Sequence, residues 1–304
     1  MTFTVNKIKY PTFKHLNVNF SEVSNAELLS GFELINDHKS DPKEILSNCT
    51  LPSSNFLKNG WNLENHNYII KENKKVKSEI KYKSHKQAHH VDIVLEENSE
   101  ADISFYYDSD DSYLLGDINF QLHENSILKL HLFFINAHDI FYNISFDLIG
   151  NNSEVTLNGA YYCGKDSHYD INLETNHIGT ETISELNMNG VLDKNAEKMY
   201  KYCLDFQHGC KNSKGSESEV VINLSDDFKN TTVPIMLCGE DSIEASHGAT
   251  LQEPDDTVLN YIKSRGIDEI SAKIMCVEGH FSQTMENFKE EWKKEIFDKL
   301  ETLI

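Results

Sequence analysis

The chain has 304 residues, of which 39% are hydrophobic and 25% are charged, so it is long enough for one elongated domain or two ordinary ones. Its formal net charge is −21, from 28 basic and 49 acidic residues. That balance argues against nucleic-acid and anionic-membrane partners, because such surfaces are bound mainly through basic side chains. We see no secretory leader, no run of 18 apolar residues and no C-x-x-C pair, so we expect a cytoplasmic protein with reduced thiols and no membrane span.

The first part of the chain, residues 1–75, is expected to be a mixed N-terminal region. A capping residue and helical spacing predict a helix over Ser21–Leu29. Asp41 followed by Pro42 predicts the start of a second helix, because proline is favoured at the first helical position.

The second part, residues 76–250, has the pattern of β-structure. Apolar residues alternate with polar ones over Val91–Leu95, Ile127–Phe134 and Val155–Leu157. No clear amphipathic stretch of helical length interrupts these segments. We therefore expect a long body of short strands.

An Asn-Ser dipeptide recurs along this body. Asn98-Ser99, Asn125-Ser126 and Asn152-Ser153 follow one another at intervals of 27 residues, and Asn212-Ser213 repeats the dipeptide out of phase. Asn and Ser suit corners, because their side chains bond nearby backbone and Asn tolerates a left-handed conformation. A period in the twenties predicts a β-solenoid with one coil per repeat, and the alternative is a β-sandwich with chance recurrence.

The last part, residues 251–304, has helical periodicity. Asp255 or Asp256 is the predicted cap of a first helix, Asp268 caps a second, and Glu286–Leu303 forms a third, amphipathic one. The expected fold is therefore mainly β, with a β-helix core between the N-terminal region and a small C-terminal helical domain.

Three segments carry a resemblance to a known family: Glu244–Thr250 (E-A-S-H-G-A-T), Tyr261–Ile267 (Y-I-K-S-R-G-I) and Ala272–Phe281. Together with the run from Phe206 to Leu237, they resemble the C-terminal part of the SufB/SufD family, the scaffold subunits of SUF iron–sulfur cluster assembly. The good match covers about residues 200–283, roughly a quarter of the chain.

The resemblance implies a right-handed parallel β-helix that works as a scaffold and not as an enzyme. Two such subunits would pair through their β-helices, with the second being a SufB-like subunit or another copy of this chain. A SufC-type ABC ATPase would dock on the C-terminal helical domain and hydrolyse the ATP, since this chain lacks a P-loop. The cofactor implied is a transient iron–sulfur cluster, and none is expected to be tightly bound. We expect the docking residues to be Tyr261, Arg265, Ile274 and Phe281.

The resemblance also suggests where a nascent cluster would bind. Ser246-His247-Gly248 matches the S-H-G-A-T motif of SufD-like chains, whereas SufB-like chains carry E-H-E-A-T. His247 is the expected iron ligand, because a neutral imidazole binds iron well. Glu219 stands where SufB-like chains carry a cysteine, and Cys238 lies nine residues before His247, so both are further candidates.

Three alternatives stay open at this point. The scaffold could be a minimal homodimer with only the ATPase as partner. The chain could instead be a β-helix enzyme that acts on polysaccharide, which would need carboxylates clustered at equivalent positions of successive coils. It could also be a purely structural β-solenoid.

Overall fold

The computed structural model describes residues 2–5, 21–24, 64–83, 87–108, 113–135 and 139–304. Two short strands, β1 (Thr2–Val5) and β2 (Ser21–Ser24), pair antiparallel. The helix predicted from Ser21 is therefore wrong over its first four residues, which pair with Thr2–Val5, a segment of β-branched and aromatic residues that favour strands. The rest of that helix and the one predicted at Asp41 lie outside the described residues.

The body of the fold consists of two parallel sheets, between which the chain alternates. One sheet contains the odd-numbered strands β3 (Glu64–Ile70), β5 (Gln87–Leu95), β7 (Tyr113–Leu122), β9 (Asp139–Leu148), β11 (His168–His177), β13 (Ala196–Phe206) and β15 (Phe228–Cys238). The other sheet contains the even-numbered strands β4 (Lys75–Lys83), β6 (Glu100–Asp108), β8 (Ile127–Ile135), β10 (Glu154–Cys163), β12 (Ile183–Leu192), β14 (Lys214–Asn223) and β16 (Glu244–Gln252).

This connectivity is a β-solenoid of about six turns. Each strand pairs with the strand two positions later in parallel, as β6 does with β8 and β8 with β10. Parallel strands need a crossover connection, and here the strand of the opposite sheet supplies it. The prediction of a mainly β solenoid is confirmed, and the sandwich alternative is excluded because the two sheets are parallel throughout their described strands.

Left-handed corner residues set the coil length. Asn98, Asn125 and Asn152 have φ angles of 57°, 53° and 56°, and each amide donates to the preceding one, at 3.1 Å from Asn125 and 3.2 Å from Asn152. The next corners are Glu181 and Asn212, with φ of 58° and 59°. Hydrogen bonds between successive coils show the spacing rising from 27 residues to 29 and 31. The Asn212 dipeptide is thus out of phase in sequence but equivalent in space.

The solenoid interior is filled by aliphatic and aromatic side chains from both sheets. The rings of Tyr107 and Phe134, one coil apart, stack with centroids 4.8 Å apart, and Tyr142 meets Tyr107 edge-on at 5.2 Å. Such stacking aligns equivalent side chains from coil to coil, because in-register parallel strands keep the same side chains inward.

Three helices follow the last strand: α1 (Asp256–Ser264), α2 (Glu269–Met285) and α3 (Glu290–Leu303). The predicted caps are confirmed, since Asp255 accepts from the Thr257 amide at 2.7 Å and Asp268 accepts from the Ser271 amide at 3.0 Å. The third helix begins four residues later than predicted, because residues 286–289 form the turn between α2 and α3. None of the helices in the described part of the chain combines the length and the apolarity that crossing a membrane requires.

The second and third helices fold back onto the outer face of the even-numbered sheet. Phe281 of α2 packs edge-on against Phe133 with ring centroids 5.1 Å apart, and Trp292 of α3 lies 5.7 Å from Tyr106. Thr284 donates a hydrogen bond to the Gly159 carbonyl at 3.2 Å. These helices therefore share a second hydrophobic core with the solenoid.

Candidate functional site at the open end of the solenoid

The last coil leaves one end of the solenoid open. β15 and β16 are the outermost strands of their sheets, so each pairs on one side only within the described residues. Every residue of β16 is exposed. A strand with unpaired backbone groups along its free edge is a ready surface for another chain.

His247 lies in the middle of this exposed strand. Its register partner on β14 is Glu217, and side chains at paired positions of parallel strands point to the same side of the sheet. The inner side chain Tyr202 has its ring centroid 6.4 Å from that of His247, and its hydroxyl donates to the Gly248 carbonyl at 3.2 Å. The imidazole thus lies over the mouth of the solenoid and is open to solvent.

Glu219, the second predicted ligand, is buried and fully engaged. Lys198 donates to its two carboxylate oxygens at 2.8 and 2.9 Å, and the hydroxyls of Tyr161 and Thr232 donate to it at 2.8 and 2.7 Å. The Glu219 side chain is 1% exposed. Binding iron there would require breaking a buried ion pair. In this structure the Glu219 carboxylate is instead a hydrogen-bonded part of the solenoid interior.

The ion pair is confined in a nonpolar interior. Burial lowers the pKa of Lys198, and the neighbouring carboxylate of Glu219 opposes that shift. Burial also raises the pKa of Tyr161 well above its ordinary value, and the adjacent Glu219 adds to this effect. Tyr161 therefore stays a neutral hydroxyl that donates to the carboxylate.

Sequence reasoning missed Glu217, which lies two residues before Glu219 on the same inner face. It is 3% exposed, and none of the described residues hydrogen-bonds to either of its carboxyl oxygens. Burial raises its pKa well above the ordinary value for a glutamate. The alternation of Gly215, Glu217 and Glu219 was visible in the sequence, but polar alternation ordinarily predicts an outward face.

Cys238, the third predicted ligand, is exposed at the end of β15. Its register partner is Phe206, which faces the interior. Within the described residues no group of three or more His, Cys, Asp and Glu side chains comes close enough to hold a metal ion. The structure thus brings His247 next to Glu217, but it forms no complete metal centre from this chain alone.

The residues predicted to dock an ATPase fall into two classes. Tyr261 is 60% exposed on α1, and Arg265 donates to its hydroxyl at 2.9 Å while lying over its ring at 5.0 Å. Ile274 is half-buried on α2. Phe281 is fully buried against the solenoid, so its side chain offers no surface to a partner.

An apolar surface lies on the first two helices. Val258, Tyr261, Ile270 and Met275 are large apolar side chains that stay exposed, and α1 buries none of its residues. We call these four residues the α1–α2 face. Exposed apolar groups concentrated on two neighbouring helices are typical of an interaction site.

Residues 58–280 match the family model described as the SUF system FeS cluster assembly, SufBD core domain. This match covers well over half of the chain. The chain belongs to the SufBD family.

Curated relatives of this SufBD chain have related names. It is 26% identical over 103 residues to the iron–sulfur cluster assembly protein SufD of Bacillus subtilis, which is 34% of this chain and 24% of that protein. It is 23% identical over 132 residues to an iron–sulfur cluster assembly SufBD family protein of Mycobacterium tuberculosis, which is 43% of this chain and 16% of that protein. The chain thus matches about a quarter of the length of the first relative and less of the second.

For the SufBD chain, membership of this family supports a role in iron–sulfur cluster assembly. It agrees with the fold, since the matched range spans both parallel sheets and most of α2. Membership of this family gives no support to the alternative that the chain is a β-helix enzyme acting on polysaccharide.

Proposed function

We propose that this chain is a non-catalytic scaffold subunit of a cytoplasmic SUF complex. It would pair with a SufB-like subunit or a second copy of itself through the open coil, and a SufC-type ABC ATPase would bind the α1–α2 face. Iron and sulfide are substrates that pass through the site at His247, so the cluster is cargo and not a resident cofactor.

The observation that carries this proposal is the direct connection between the two exposed surfaces. β16 ends at Gln252 and α1 begins at Asp256, so three residues join the strand that carries His247 to the helix that carries Tyr261. Because α1 buries no residue, it can move without disrupting a core. A partner that pulls on α1 therefore acts on the outermost strand.

The mechanism follows from this linkage. ATP-driven approach of two ATPase subunits would shift α1, and the shift would be passed to β16, whose outer edge has no described neighbour to hold it. The last coil would then open at its mouth, where His247 lies. The effect of nucleotide binding would thus be transmitted to the cluster site by a rigid-body movement of α1 and β16.

Co-purification tests the partners. We expect the full chain to form a stable complex when co-expressed with a SufC-type ATPase and a SufB-like subunit. A complex with the ATPase and no third subunit would support the homodimeric scaffold instead. Failure to retain the ATPase in either arrangement would contradict the proposal.

A charge reversal tests the docking surface. Arg265→Glu should weaken ATPase binding at least ten-fold, because it removes the guanidinium from the Tyr261 ring and reverses the charge beside that exposed ring. Lys293→Glu on α3 is the matched control and should leave binding unchanged. Equal effects of the two variants would count against docking at the α1–α2 face.

His247→Ala tests the cluster site. Anaerobic reconstitution with iron and sulfide, followed by visible absorbance, should show a much smaller yield for the variant complex than for the wild type. Because His247 is exposed, the variant should unfold at the same denaturant concentration. Unchanged cluster yield would show that His247 is not a ligand.

A further inference from the structure

The interior of the last two coils contains two glutamates with opposite surroundings. Glu219 makes four hydrogen bonds, to Lys198, Tyr161 and Thr232. Glu217 is buried to the same degree, yet neither of its oxygens has a hydrogen-bond partner among the described residues. The two side chains share one face of β14, so the difference comes from their neighbours.

An unpaired buried carboxyl group is costly. Transfer of a polar group from water without a compensating hydrogen bond costs on the order of 1–3 kcal/mol in proteins. A leucine or methionine of similar size would fill the position of Glu217 without that cost. The cost points to a use of Glu217 outside the stability of the fold.

The neighbour of Glu217 on the outer side is His247. The two residues are register partners on β14 and β16, and adjacent parallel strands lie about 4.8 Å apart, so their side chains start from neighbouring positions on the same side of the sheet. His247 lies on β16, the outermost strand at the mouth of the solenoid. Glu217 lies on β14, the next strand inward. Tyr202 supports the imidazole from the opposite sheet.

We propose that Glu217, and not Glu219, holds ferrous iron together with His247, and that its carboxyl group releases a proton to water as the metal binds. A carboxylate oxygen and an imidazole nitrogen suit Fe²⁺, and two such ligands leave positions open for water, sulfide or a partner's side chain. The inference rests on the proposed function, since it names the ligand set of that site. It accounts for the unpaired state of Glu217, which the incoming metal would satisfy.

The site is incomplete in one chain. No group of three candidate ligands occurs among the described residues, so binding by the isolated chain should be weak and should tighten in the paired complex. The path to Glu217 runs past His247 at the open end, because β16 is the outermost strand.

Anaerobic titration with Fe²⁺ alone, followed by calorimetry, tests the ligand set in the full chain and in its co-purified complex. We expect one equivalent to bind in the complex, and we expect Glu217→Gln and His247→Ala each to weaken binding at least ten-fold. Glu244→Gln, an exposed change on the same strand as His247, is the matched control and should bind as the wild type does. Wild-type affinity in Glu217→Gln, or no binding by the wild-type complex, overturns the proposal.

A stability measurement separates this role from a structural one. Glu217→Met should raise the melting temperature, because it removes an unpaired polar group from the interior. Glu219→Met should lower it, because it leaves Lys198 buried without its partner. A lower melting temperature for Glu217→Met would show that the carboxyl stabilises the fold, and the proposal would fail.

The outcome is distinguishable from failure of the proposed function. Glu217→Gln lies away from the α1–α2 face, so the variant should still co-purify with the ATPase. A complex that assembles but binds iron independently of Glu217 refutes only the ligand assignment. A chain that binds iron through Glu217 but retains no ATPase refutes the proposed function and leaves the ligand assignment standing.

Discussion

Lys198 and Glu219 form an ion pair in the interior of the solenoid, with side chains 0% and 1% exposed. A buried pair of this kind is weak evidence for stability, because desolvation of the two ions offsets much of their attraction. Loss of one partner is a different matter, since the other charge then stays buried alone. The pair therefore fixes the arrangement of the penultimate coil more than it stabilises the fold.

The buried pair should respond differently to single and double substitution. Lys198→Met should lower the free energy of unfolding by about 3–5 kcal/mol, because it leaves Glu219 unpaired. The double variant Lys198→Met with Glu219→Leu should recover most of that loss. Urea denaturation measures both, and a double variant as unstable as the single one would contradict the argument.

His177 is a neutral histidine inside the same end of the solenoid. Its ring nitrogens hydrogen-bond to the hydroxyls of Thr182 at 2.7 Å and Ser184 at 3.0 Å, and the ring stacks on Phe206 at 4.3 Å. Burial lowers its pKa to about 3. The folded state therefore holds this imidazole uncharged down to acid pH.

The shift predicts acid sensitivity. The folded pKa of His177 is below the unfolded value, so the unfolded chain gains a proton first as the pH falls below about 6.5. The contribution of His177 to stability is full above that pH and decreases toward pH 3, by at most about 1.4 kcal/mol per pH unit. Denaturant unfolding between pH 7 and 4 should show a shallower decline for His177→Gln than for the wild type.

At the scale of the elements, residues in the left-handed conformation form the corners between strands and so define where each coil turns. Asn tolerates the left-handed region better than other residues with a side chain, which is why Asn recurs at the corners with φ near +55°. In the series of corners that follows Asn152, Glu181 occupies the same region at φ 58°. Its place in the series is recognisable only from the structure, because the coil before it is two residues longer.

The corners predict substitutions of opposite sign. Asn125→Ala should destabilise the chain by about 1–2 kcal/mol, because alanine pays the left-handed penalty and breaks the amide ladder to Asn98. Glu181→Asn should stabilise it, since asparagine suits the conformation that is already present. Thermal unfolding of the two variants checks the pair, and Asn125→Gly is the control for the conformational part.

The C-terminal helices differ in what holds them. α2 and α3 carry buried residues that pack on the sheet, whereas α1 carries none. We expect Phe281→Ala to cost about 3–5 kcal/mol, because it empties a packed position beside Phe133. Tyr261→Ala should change stability by less than about 0.5 kcal/mol. Comparable losses from the two variants in urea denaturation would contradict this division of roles.

For the whole molecule, stability should be graded along the solenoid. Each coil contacts only its neighbours, so the terminal coil has one stabilising interface where the inner coils have two. The terminal strand is also exposed over its full length. The proposed working surface is therefore expected to be less stable than the inner coils of the stack.

Hydrogen exchange measures this gradient. Amides of β16 should exchange much faster than those of β10 and β12, and the difference should shrink when the chain is in its complex. Slow exchange of β16 in the free chain would contradict an opening of the last coil at its mouth. Protection that appears only with a bound partner would identify the surface that the partner covers.

Much of the architecture follows from local chemistry, which the sequence displays. Alternation predicted the strands, the Asn-Ser dipeptides predicted the solenoid and its first corners, and Asp255 and Asp268 predicted two helix starts. Each of these features depends on residues a few positions apart, so it can be recognised without a fold. His247 was likewise identified from its motif, although its role stays a prediction.

Tertiary structure alone decided which residues the last coils bring together. Alternation shows that Glu217 and Glu219 share a face but not that the face is the inner one, since that depends on where the whole stack folds. Coils of 29 and 31 residues shifted the later corners out of the 27-residue phase. The pairing of Glu217 with His247 and of Glu219 with Lys198 arises from register between distant strands, and such register is set by the stacking of complete coils.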